Sequence, residues 1–409
     1  MFTSLDKPAR AASGFAALTL AALLTACGGG GGGGSHTTPS PPGGPDHPGE
    51  SAGPSYDVIP LGIPDAYGDI TRQGIANGGI VAGTSWGGAG GTARAFLYNG
   101  TLEADIGTLG GDFARAQGVN RCGRVTGWSG RADGVAHAFV YDGAIHDLGT
   151  LGGSDSAGSA ISSCGKMTGW SATAGGETHA FLYDGTALRD LGSFGGNSFG
   201  LAINAAGQVV GYSYGPGNTS WFHAFVVDSR TGAPIQDLGS PGGNSLAVAI
   251  NDAGQIVGWS RKGEGPLGAF YYEGGSVRDI GTLGGDYAEA TDINQNGIAV
   301  GNSSLKDGAQ RGFVYDGKKM TGIGALGGSR FSQAVAINAG GLVVGSSSAG
   351  LSGEEHAISW TEKEGIVDLN DRLHAPPAGL VLVQALAVAD DGNIAVRTNH
   401  GLALLKLRH

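Results

Sequence analysis

Asp147-Leu-Gly-Thr-Leu-Gly-Gly153 decides the fold of this chain, because the same heptapeptide returns with small changes along most of its 409 residues. Besides this copy there are seven others. Four good copies begin at Asp105, Asp190, Asp237 and Asp279, and three weaker ones begin at Asp57, Gly322 and Asp368. Repeats of forty-odd residues are typical of four-stranded propeller blades. The sequence therefore predicts a repeat protein of eight units.

One unit reads as four short strands, best seen from 200 to 239. Apolar runs occupy 200–204, 208–213, 223–227 and 234–239, and turn residues separate them. The link between the first two runs is Asn-x-x-Gly, in which the Asn side chain caps the turn and the Gly takes a positive φ. Consecutive tight turns predict an antiparallel meander.

The turn between the third and fourth strands follows a Tyr in four units, as Asn99-Gly100, Asp142-Gly143, Asp184-Gly185 and Asp316-Gly317. Such dipeptides are typical of two-residue hairpin turns. A two-residue turn pairs Tyr183 with Thr186 and places His179 opposite Asp190. Equivalent His–Asp pairs on neighbouring blades lie on the order of 10 Å apart, so we interpret them as cross-strand pairs rather than catalytic or metal sites.

The fold class is therefore all-β, a β-propeller of four-stranded antiparallel blades. Small residues in each first strand, such as Ala247 and Ala249, suit the innermost position, and the Asp-Leu-Gly strand is then outermost. The chain enters on an outermost strand at 57–61 and leaves on a third strand at 402–406. We expect these two strands to pair, closing eight blades within a single domain over residues 56–409, with seven blades as the alternative.

The N-terminus predicts export. Lys7 and Arg10 precede an apolar run over 11–24, too short to span a bilayer stably but typical of a secretory signal. Residues 24–27, Leu-Thr-Ala-Cys, resemble the bacterial lipobox, which implies a signal peptide over 1–26 and lipidation of Cys27. Gly28 favours an outer-membrane lipoprotein facing the periplasm or the cell surface. The Gly-, Pro- and Ser-rich residues 27–55 predict a disordered tether.

Composition narrows the partners. The formal net charge of −11 supplies no basic stripe for phosphates, so nucleic acid is not an expected partner. Membrane contact is expected through the lipid anchor only. The Leu-Gly-Gly loops are not followed by the Gly-Lys-Ser/Thr of a phosphate loop. No cofactor and no metal site are predicted.

Cys122 and Cys164 are the two cysteines after Cys27, and each immediately precedes the turn glycine of its unit. In an exported protein they are candidates for a disulfide between adjacent blades. Two free thiols are the alternative, because the pairing requires the Cα atoms to lie about 5 to 7 Å apart.

Two sets of aromatic residues are candidates for binding. One position of the second strand carries an aromatic residue in four successive units, which favours packing between blades over sugar stacking: Trp128, Trp170, Tyr212 and Trp259. The other set breaks the repeat, in the loop from 213 to 222 and in the next unit: Tyr214, Trp221, Phe222, Arg261 and Lys262. Because variable loops on a rigid scaffold tend to carry function, we predict the binding site there.

The motifs His137-Ala-Phe139, His179-Ala-Phe181 and His223-Ala-Phe225, with Asp-Leu-Gly-Thr-Leu-Gly-Gly and Ala-Ile-Asn-x-x-Gly-Gln, resemble the HAF family of bacterial extracellular repeat proteins. The resemblance covers nearly all of the chain from Asp57 onward. Arg94, Gly268 and Arg311 depart from it at the His position, and Ile358 at the Phe position. It implies an extracellular repeat protein and transfers no catalytic residue.

Three functions remain open from the sequence. The first is a non-enzymatic, lipid-anchored envelope module that binds a protein or a surface glycan; the second is a polysaccharide-active enzyme with its site in the channel; the third is a purely structural envelope protein. An enzyme would need acids that converge on the channel. Glu289, Asp292 and Glu354 are scattered in the sequence, and we predict that Glu289 and Asp292 flank an innermost strand. The sequence-based expectation is that the protein is not an enzyme.

Overall fold

The computed structural model describes residues 53–63, 68–87, 91–218, 221–240, 243–261, 263, 265–349 and 353–408. The predicted signal peptide and nearly all of the predicted tether, including Cys27, lie outside these residues, as does Lys262. In the ranges described, the chain forms strands and three short 3-10 turns, at Pro216–Asn218, Leu326–Gly328 and Leu369–Arg372. None of its described helical segments has the length and apolar character needed to cross a membrane.

The strands form eight antiparallel sheets, numbered here as blades 1 to 8 in chain order of their innermost strands. Blades 1 to 4 contain, in order, β2 Gly68–Asp69, β3 Ile75–Ala76, β4 Ile80–Trp86, β5 Ala93–Tyr98 and β6 Leu102–Glu103; β7 Gly110–Val119, β8 Val125–Arg131, β9 Ala136–Tyr141 and β10 Ile145–Asp147; β11 Gly152–Ile161, β12 Met167–Thr173, β13 Thr178–Tyr183 and β14 Leu188–Asp190; β15 Ser198–Ile203, β16 Gln208–Tyr214, β17 Phe222–Asp228 and β18 Gln236–Asp237.

Blades 5 to 8 follow the same plan. They contain β19 Ser245–Ile250, β20 Ile256–Arg261, β21 Leu267–Glu273 and β22 Ser276–Asp279; β23 Gly284–Ile293, β24 Ala299–Leu305, β25 Gln310–Tyr315 and β26 Met320–Gly322; β27 Ser332–Ile337, β28 Val343–Ala349, β29 Glu354–Thr361 and β30 Gly365–Asp368; β31 Leu382–Val388, β32 Ile394–Thr398 and β33 Gly401–Leu407, with β1 Tyr56–Pro60.

The N-terminal strand closes the ring. β1 pairs antiparallel with β33, Tyr56 opposite Leu407 and Pro60 opposite Ala403, and completes blade 8 from outside. A cluster of buried side chains from blades 8 and 1, including Leu404 and Phe96, joins the two ends of the ring. The predictions of an eight-bladed propeller and of its closing strand are confirmed, and the seven-blade alternative is wrong.

The core lies between blades and repeats around the ring. One position of the third strand carries a fully buried aromatic ring in six blades, at Phe96, Phe139, Phe181, Phe225, Phe270 and Phe313, and Ile358 takes this position in blade 7. Burying each such side chain contributes about 1.5–3 kcal/mol. The recurring Phe of the His-Ala-Phe motif is therefore the residue that packs one blade on the next.

The innermost strands of blades 2 to 8 share a β-bulge at the same position, for example between Ala116 and Gly118 in blade 2 and between Ala290 and Asp292 in blade 6. A bulge adds one unpaired residue and bends the strand. The first strand begins, and the second ends, at one face of the ring, which we call the loop face. The other face, with the Asn-x-x-Gly turns, is the turn face.

The turns of the turn face explain the repeated Asn. The Oδ1 of Asn251 accepts the backbone N–H of Gln255 at 3.0 Å, so the side chain caps its own turn as predicted. Its Nδ2 also donates to Asn294 O in the next blade at 3.0 Å, and Asn294 and Asn204 repeat that bond to their own following blades. The conserved geometry of the turn therefore also ties neighbouring blades together at the channel.

The turns between third and fourth strands are longer than predicted. Tyr183 pairs with Leu188 and Phe181 pairs with Asp190, so four residues, 184–187, form the loop. The predicted two-residue turn and the pairing of Tyr183 with Thr186 are wrong, because Asp184 Oδ1 accepts the N–H groups of Thr186 and Ala187 and holds a wider turn. In blade 2 Phe139 pairs with Asp147 in the same register.

In blade 2 the Asp that opens the heptapeptide makes two contacts. Asp147 Oδ1 accepts the N–H of Gly149 at 2.7 Å, and this turn requires a positive φ, +73° at Gly149. The same carboxylate contacts His137 Nδ1 at 2.8 Å. Asp190 makes the same contact with His179 at 2.9 Å. Asp190 pairs with Phe181 in the sheet, so His179 lies diagonally from it and not directly opposite it, which was the position predicted from the sequence. The motif thus joins the outermost strand to the loop that enters the next blade.

Candidate functional site

The second strand divides the ring into two halves. At one position, blades 2 to 5 carry an aromatic residue and blades 6, 7, 8 and 1 carry a polar one: Trp128, Trp170, Tyr212 and Trp259, then Asn302, Ser346, Arg397 and Thr84. Their partners on the innermost strands change as well, from Arg115, Ala157, Phe199 and Leu246 to Glu289, Gln333, Gln384 and Asp69. The channel is therefore bordered by chemically different sides.

The aromatic half contains a chain of ring contacts across blades 3 to 5. We call it the aromatic cluster; its members are Trp170, Phe199, Tyr212, Tyr214, Phe222 and Trp259. Phe199 stacks on Tyr212 with ring centroids 5.0 Å apart, and Phe222 meets Trp259 of the next blade edge to face at 6.0 Å. In blade 2, the Arg115 guanidinium lies 5.8 Å from the centroid of the Trp128 ring. The recurring aromatics thus pack between blades, as predicted.

Trp221 extends this cluster to the surface. Its side chain is the exposed large apolar one among the described residues, with 37% of the residue exposed. The indole lies over Gly215, where an added Cβ would clash with the ring, and 4.9 Å from the His223 ring. Tyr214 and Phe222 sit opposite each other at the ends of β16 and β17 and are half-buried.

The polar half carries polar side chains at corresponding positions on four neighbouring blades. We call it the polar arc: Asp69, Thr84, Tyr287, Glu289, Asn302, Gln333, Ser346, Glu355, Gln384 and Arg397. In blade 6, Tyr287 and Asn302 hydrogen-bond to the Glu289 carboxyl. Burial raises the pKa of that carboxyl, and the two hydrogen bonds oppose the shift. Asn302 Oδ1 also accepts the N–H of Ala334 in blade 7 at 3.0 Å.

The arc continues in blades 7, 8 and 1. Gln333 Nε2 donates to Ser346 Oγ at 2.8 Å, and Ser346 Oγ donates to Glu355. Arg397 in blade 8 lies 3.6 Å from the Asp69 carboxylate in blade 1. The arc therefore contains amides, hydroxyls, carboxyls and a guanidinium on one side of the ring.

Arg72 closes the channel below this band. It lies between β2 and β3, where the innermost strand of blade 1 is interrupted, and its Nη2 donates to Val248 O in blade 5, on the opposite side of the ring. Asp292 in blade 6 is its electrostatic partner. Burial lowers the pKa of the Arg72 guanidinium and raises the pKa of the Asp292 carboxyl.

Asp292 replaces the small residue of the other blades. Its equivalents are Gly118, Ala160, Ala202, Ala249, Ala336 and Ala387. Its Oδ2 accepts the N–H of Ile337 at 3.0 Å. Val248 and Asp292 lie at the bulges of their innermost strands. These positions are two to three residues further from the loop face than the position of Glu289. A solute entering from the loop face therefore meets the Arg72 side chain as a floor.

The predicted site residues are distributed unevenly between these features. Tyr214 and Phe222 belong to the aromatic cluster, Trp221 adjoins it, and Arg261 is exposed at the end of β20 on the loop face. Lys262 and the lipidation residue Cys27 lie outside the described residues. Their roles stay predictions.

The other candidates do not assemble into a metal or cysteine site in the ranges that the structure covers. No three His, Cys, Asp or Glu side chains there are grouped to hold a metal ion. Cys122 and Cys164 are exposed and unpaired on adjacent turns, which a 3.4 Å bond from Asn120 Nδ2 to Ser162 O joins. The disulfide stays a prediction for the exported protein.

The three acids considered for an enzyme occupy different places. Glu289 and Asp292 lie within the innermost strand β23, and do not flank it as predicted. Glu354 is exposed at the start of β29. The sequence did not predict the polar arc around Glu289. Its signal is the change at the aromatic position of the second strand, from Trp259 to Asn302, Ser346 and Arg397 in the following units.

The chain is similar in fold to several solved structures. They include the β-propeller domain of the Trilobed protease from Pyrococcus furiosus, at 11% identity and TM-score 0.44, which covers 76% of this chain and 100% of that one. A puromycin-hydrolyzing peptidase from Mycobacterium tuberculosis matches at 12% identity and TM-score 0.44, over 80% of this chain and 57% of the peptidase. A gluconolactonase from Xanthomonas campestris matches at 13% and TM-score 0.31, over 75% and 94%.

The expectation that the protein is not an enzyme is corrected by these matches. Peptidases and a gluconolactonase are among the similar structures. At 11–13% identity the likeness shows the fold alone and establishes no activity. No family model matches the sequence, and a search of curated proteins finds no match. The resemblance to the HAF family stays a prediction.

Proposed function

We propose that the protein is a glycan-binding module of the bacterial envelope. The observation that carries the proposal is Trp221, an exposed indole over Gly215 in the loop between Tyr214 and Phe222, two members of the aromatic cluster. Aromatic rings with one apolar face and a polar neighbourhood suit the apolar faces of sugar rings. The residues also belong to the loop that departs most from the repeat.

The packing of the aromatic cluster supports a preformed site. Tyr214 and Phe222 contact each other with centroids 5.3 Å apart, and both contact Tyr212. Rings held in this way lose little side-chain freedom when a ligand binds, which favours affinity. Trp221 and Arg261 add an indole and a guanidinium at the exposed edge.

The address of the module is proposed from the sequence. A lipid on Cys27 would anchor the chain to the outer membrane, and residues 28–55 would act as a tether. The formal charge of −11 favours neutral glycans over polyanionic ones.

The test is binding of the full chain to an array of oligosaccharides, neutral and uronate-containing, beside extracts of envelope protein. Trp221→Ala should lower affinity for the bound oligosaccharide at least about tenfold, the equivalent of about 1.4 kcal/mol. Tyr183→Ala removes a half-buried ring at the turn face and is the control, with affinity unchanged.

Two results contradict the proposal. One is wild-type affinity in Trp221→Ala. The other is wild-type chain that binds envelope protein and no oligosaccharide, which identifies a protein partner instead.

A further inference from the structure

The polar arc is a departure from the repeat. Four consecutive blades carry aromatic or apolar side chains at the second-strand position, and the next four carry Asn302, Ser346, Arg397 and Thr84. Asn302 and Ser346 are buried. Burying polar groups gains less than burying apolar ones of similar size, even when they are hydrogen-bonded. When several neighbouring blades depart from the repeat at the same position, the departure indicates a functional site.

The arc has the composition of a hydroxyl-binding surface. Amide groups of Gln333 and Gln384 and the phenol of Tyr287 can both donate and accept, whereas Glu289 and Glu355 add strong acceptors. These side chains come from three neighbouring blades, and Gln333, Glu355 and Tyr287 are half-buried rather than exposed. Partly buried polar groups that converge beside apolar rings are typical of small-molecule sites.

Charge within the arc selects the ligand class. Three carboxyl groups, of Asp69, Glu289 and Glu355, stand against one guanidinium, of Arg397, which Asp69 already faces at 3.6 Å. An anionic sugar would meet net repulsion there. A neutral sugar with several hydroxyl groups would not.

The floor of the channel selects the mode of binding. Arg72 reaches Val248 O across the ring, so a glycan chain cannot thread through the channel from one face to the other. A ligand that reaches the level of Glu289 from the loop face therefore presents an end.

We propose that the polar arc binds the terminal unit of a neutral oligosaccharide, which enters the channel from the loop face while the following units lie on the aromatic cluster. The terminal hydroxyls would bond to Glu289, Gln333 and Glu355. This inference rests on the proposed function, because the same ligand occupies both places.

The experiment measures calorimetric affinity of the full chain for neutral oligosaccharides of two to eight units and for their uronate-terminated counterparts. Glu289→Gln and Gln333→Ala should each weaken the neutral ligands at least about tenfold, whereas Glu273→Gln, an exposed carboxyl on the outer side of blade 5, should leave affinity unchanged. Uronate-terminated ligands should bind the wild type more weakly than neutral ones. Circular dichroism confirms that each variant is folded.

The outcomes separate this inference from the proposed function. Loss of affinity in Trp221→Ala together with wild-type affinity in Glu289→Gln and Gln333→Ala overturns the polar-arc site and leaves the loop-face site. Loss of affinity in the two arc variants together with wild-type affinity in Trp221→Ala overturns the loop-face site and leaves the polar-arc site. Equal affinity for uronate-terminated ligands overturns the assignment to neutral sugars, and no binding by the wild type overturns both.

Discussion

Blades 2 to 5 and blades 6 to 1 share one backbone plan but differ in what lies beside the channel. In blade 4, Phe199 stacks on Tyr212 across two strands. In blade 6 the same two positions are Glu289 and Asn302. The bulge, the Asn turn and the buried Phe of the third strand are present in both blades. The scaffold is therefore independent of these positions, which are open to functional change.

The two halves meet only in a closed ring, so opening the ring should lower the free energy of unfolding more than any single substitution. Deleting residues 56–60 from the full chain removes β1, whose five residues pair with β33 and whose Tyr56 is 1% exposed. Lost pairing and burial together should cost at least about 5 kcal/mol. The midpoint of thermal unfolding should then fall by about 10 °C.

The control for that deletion removes residues 29–34 from the glycine run. It should leave the midpoint unchanged. Equal midpoints for the two deletions would mean that β1 does not close the ring, and the polar arc would lose its continuity from Arg397 to Asp69.

A paired substitution compares the two halves at the same position of the innermost strand. Phe199→Ala removes a ring stacked at 5.0 Å on Tyr212 and should lower the free energy of unfolding by about 2 kcal/mol, or about 4 °C in the midpoint. Gln333→Ala removes a 2.8 Å hydrogen bond to Ser346 and should cost about 1 kcal/mol or less. A larger loss of unfolding free energy in Gln333→Ala than in Phe199→Ala would show that the polar arc is structural.

The sequence predicted the scaffold because its determinants recur. Eight heptapeptides count the blades, and the positions of 57–61 and 402–406 predict the pairing that β1 and β33 make. The turn after Tyr183 was predicted too short, because Asp-Gly is typical of two-residue turns and the further bonds of Asp184 to Thr186 and Ala187 are visible in the structure alone.

The site was predicted only on its aromatic side. Tyr214, Trp221 and Phe222 stand out because they interrupt a repeat. Glu289, Gln333 and Gln384 do not, since each is one ordinary polar residue in its own unit. The ring brings their three blades side by side, and Arg72 reaches Val248 over 176 residues of sequence, which no local pattern encodes.

The smallest expected effect concerns the sign of one stability change. Burial raises the pKa of Glu289 above its ordinary 4.5, so the folded state holds this proton more tightly than the unfolded state. Stability contributed by that proton is fully present below pH 4.5 and is lost as the pH rises through the folded pKa. Glu289→Gln has no such proton to lose and keeps the shape of the protonated side chain.

Glu289→Gln should therefore unfold near the wild-type temperature at pH 4 and above it at pH 7. Thermal unfolding followed by circular dichroism at both pH values measures this difference. A variant that is less stable than the wild type at pH 7 would mean that the carboxylate supports the fold. A variant that is more stable but binds neutral oligosaccharides more weakly would identify Glu289 as a group kept for its ligand, because functional residues are commonly retained at a cost in stability.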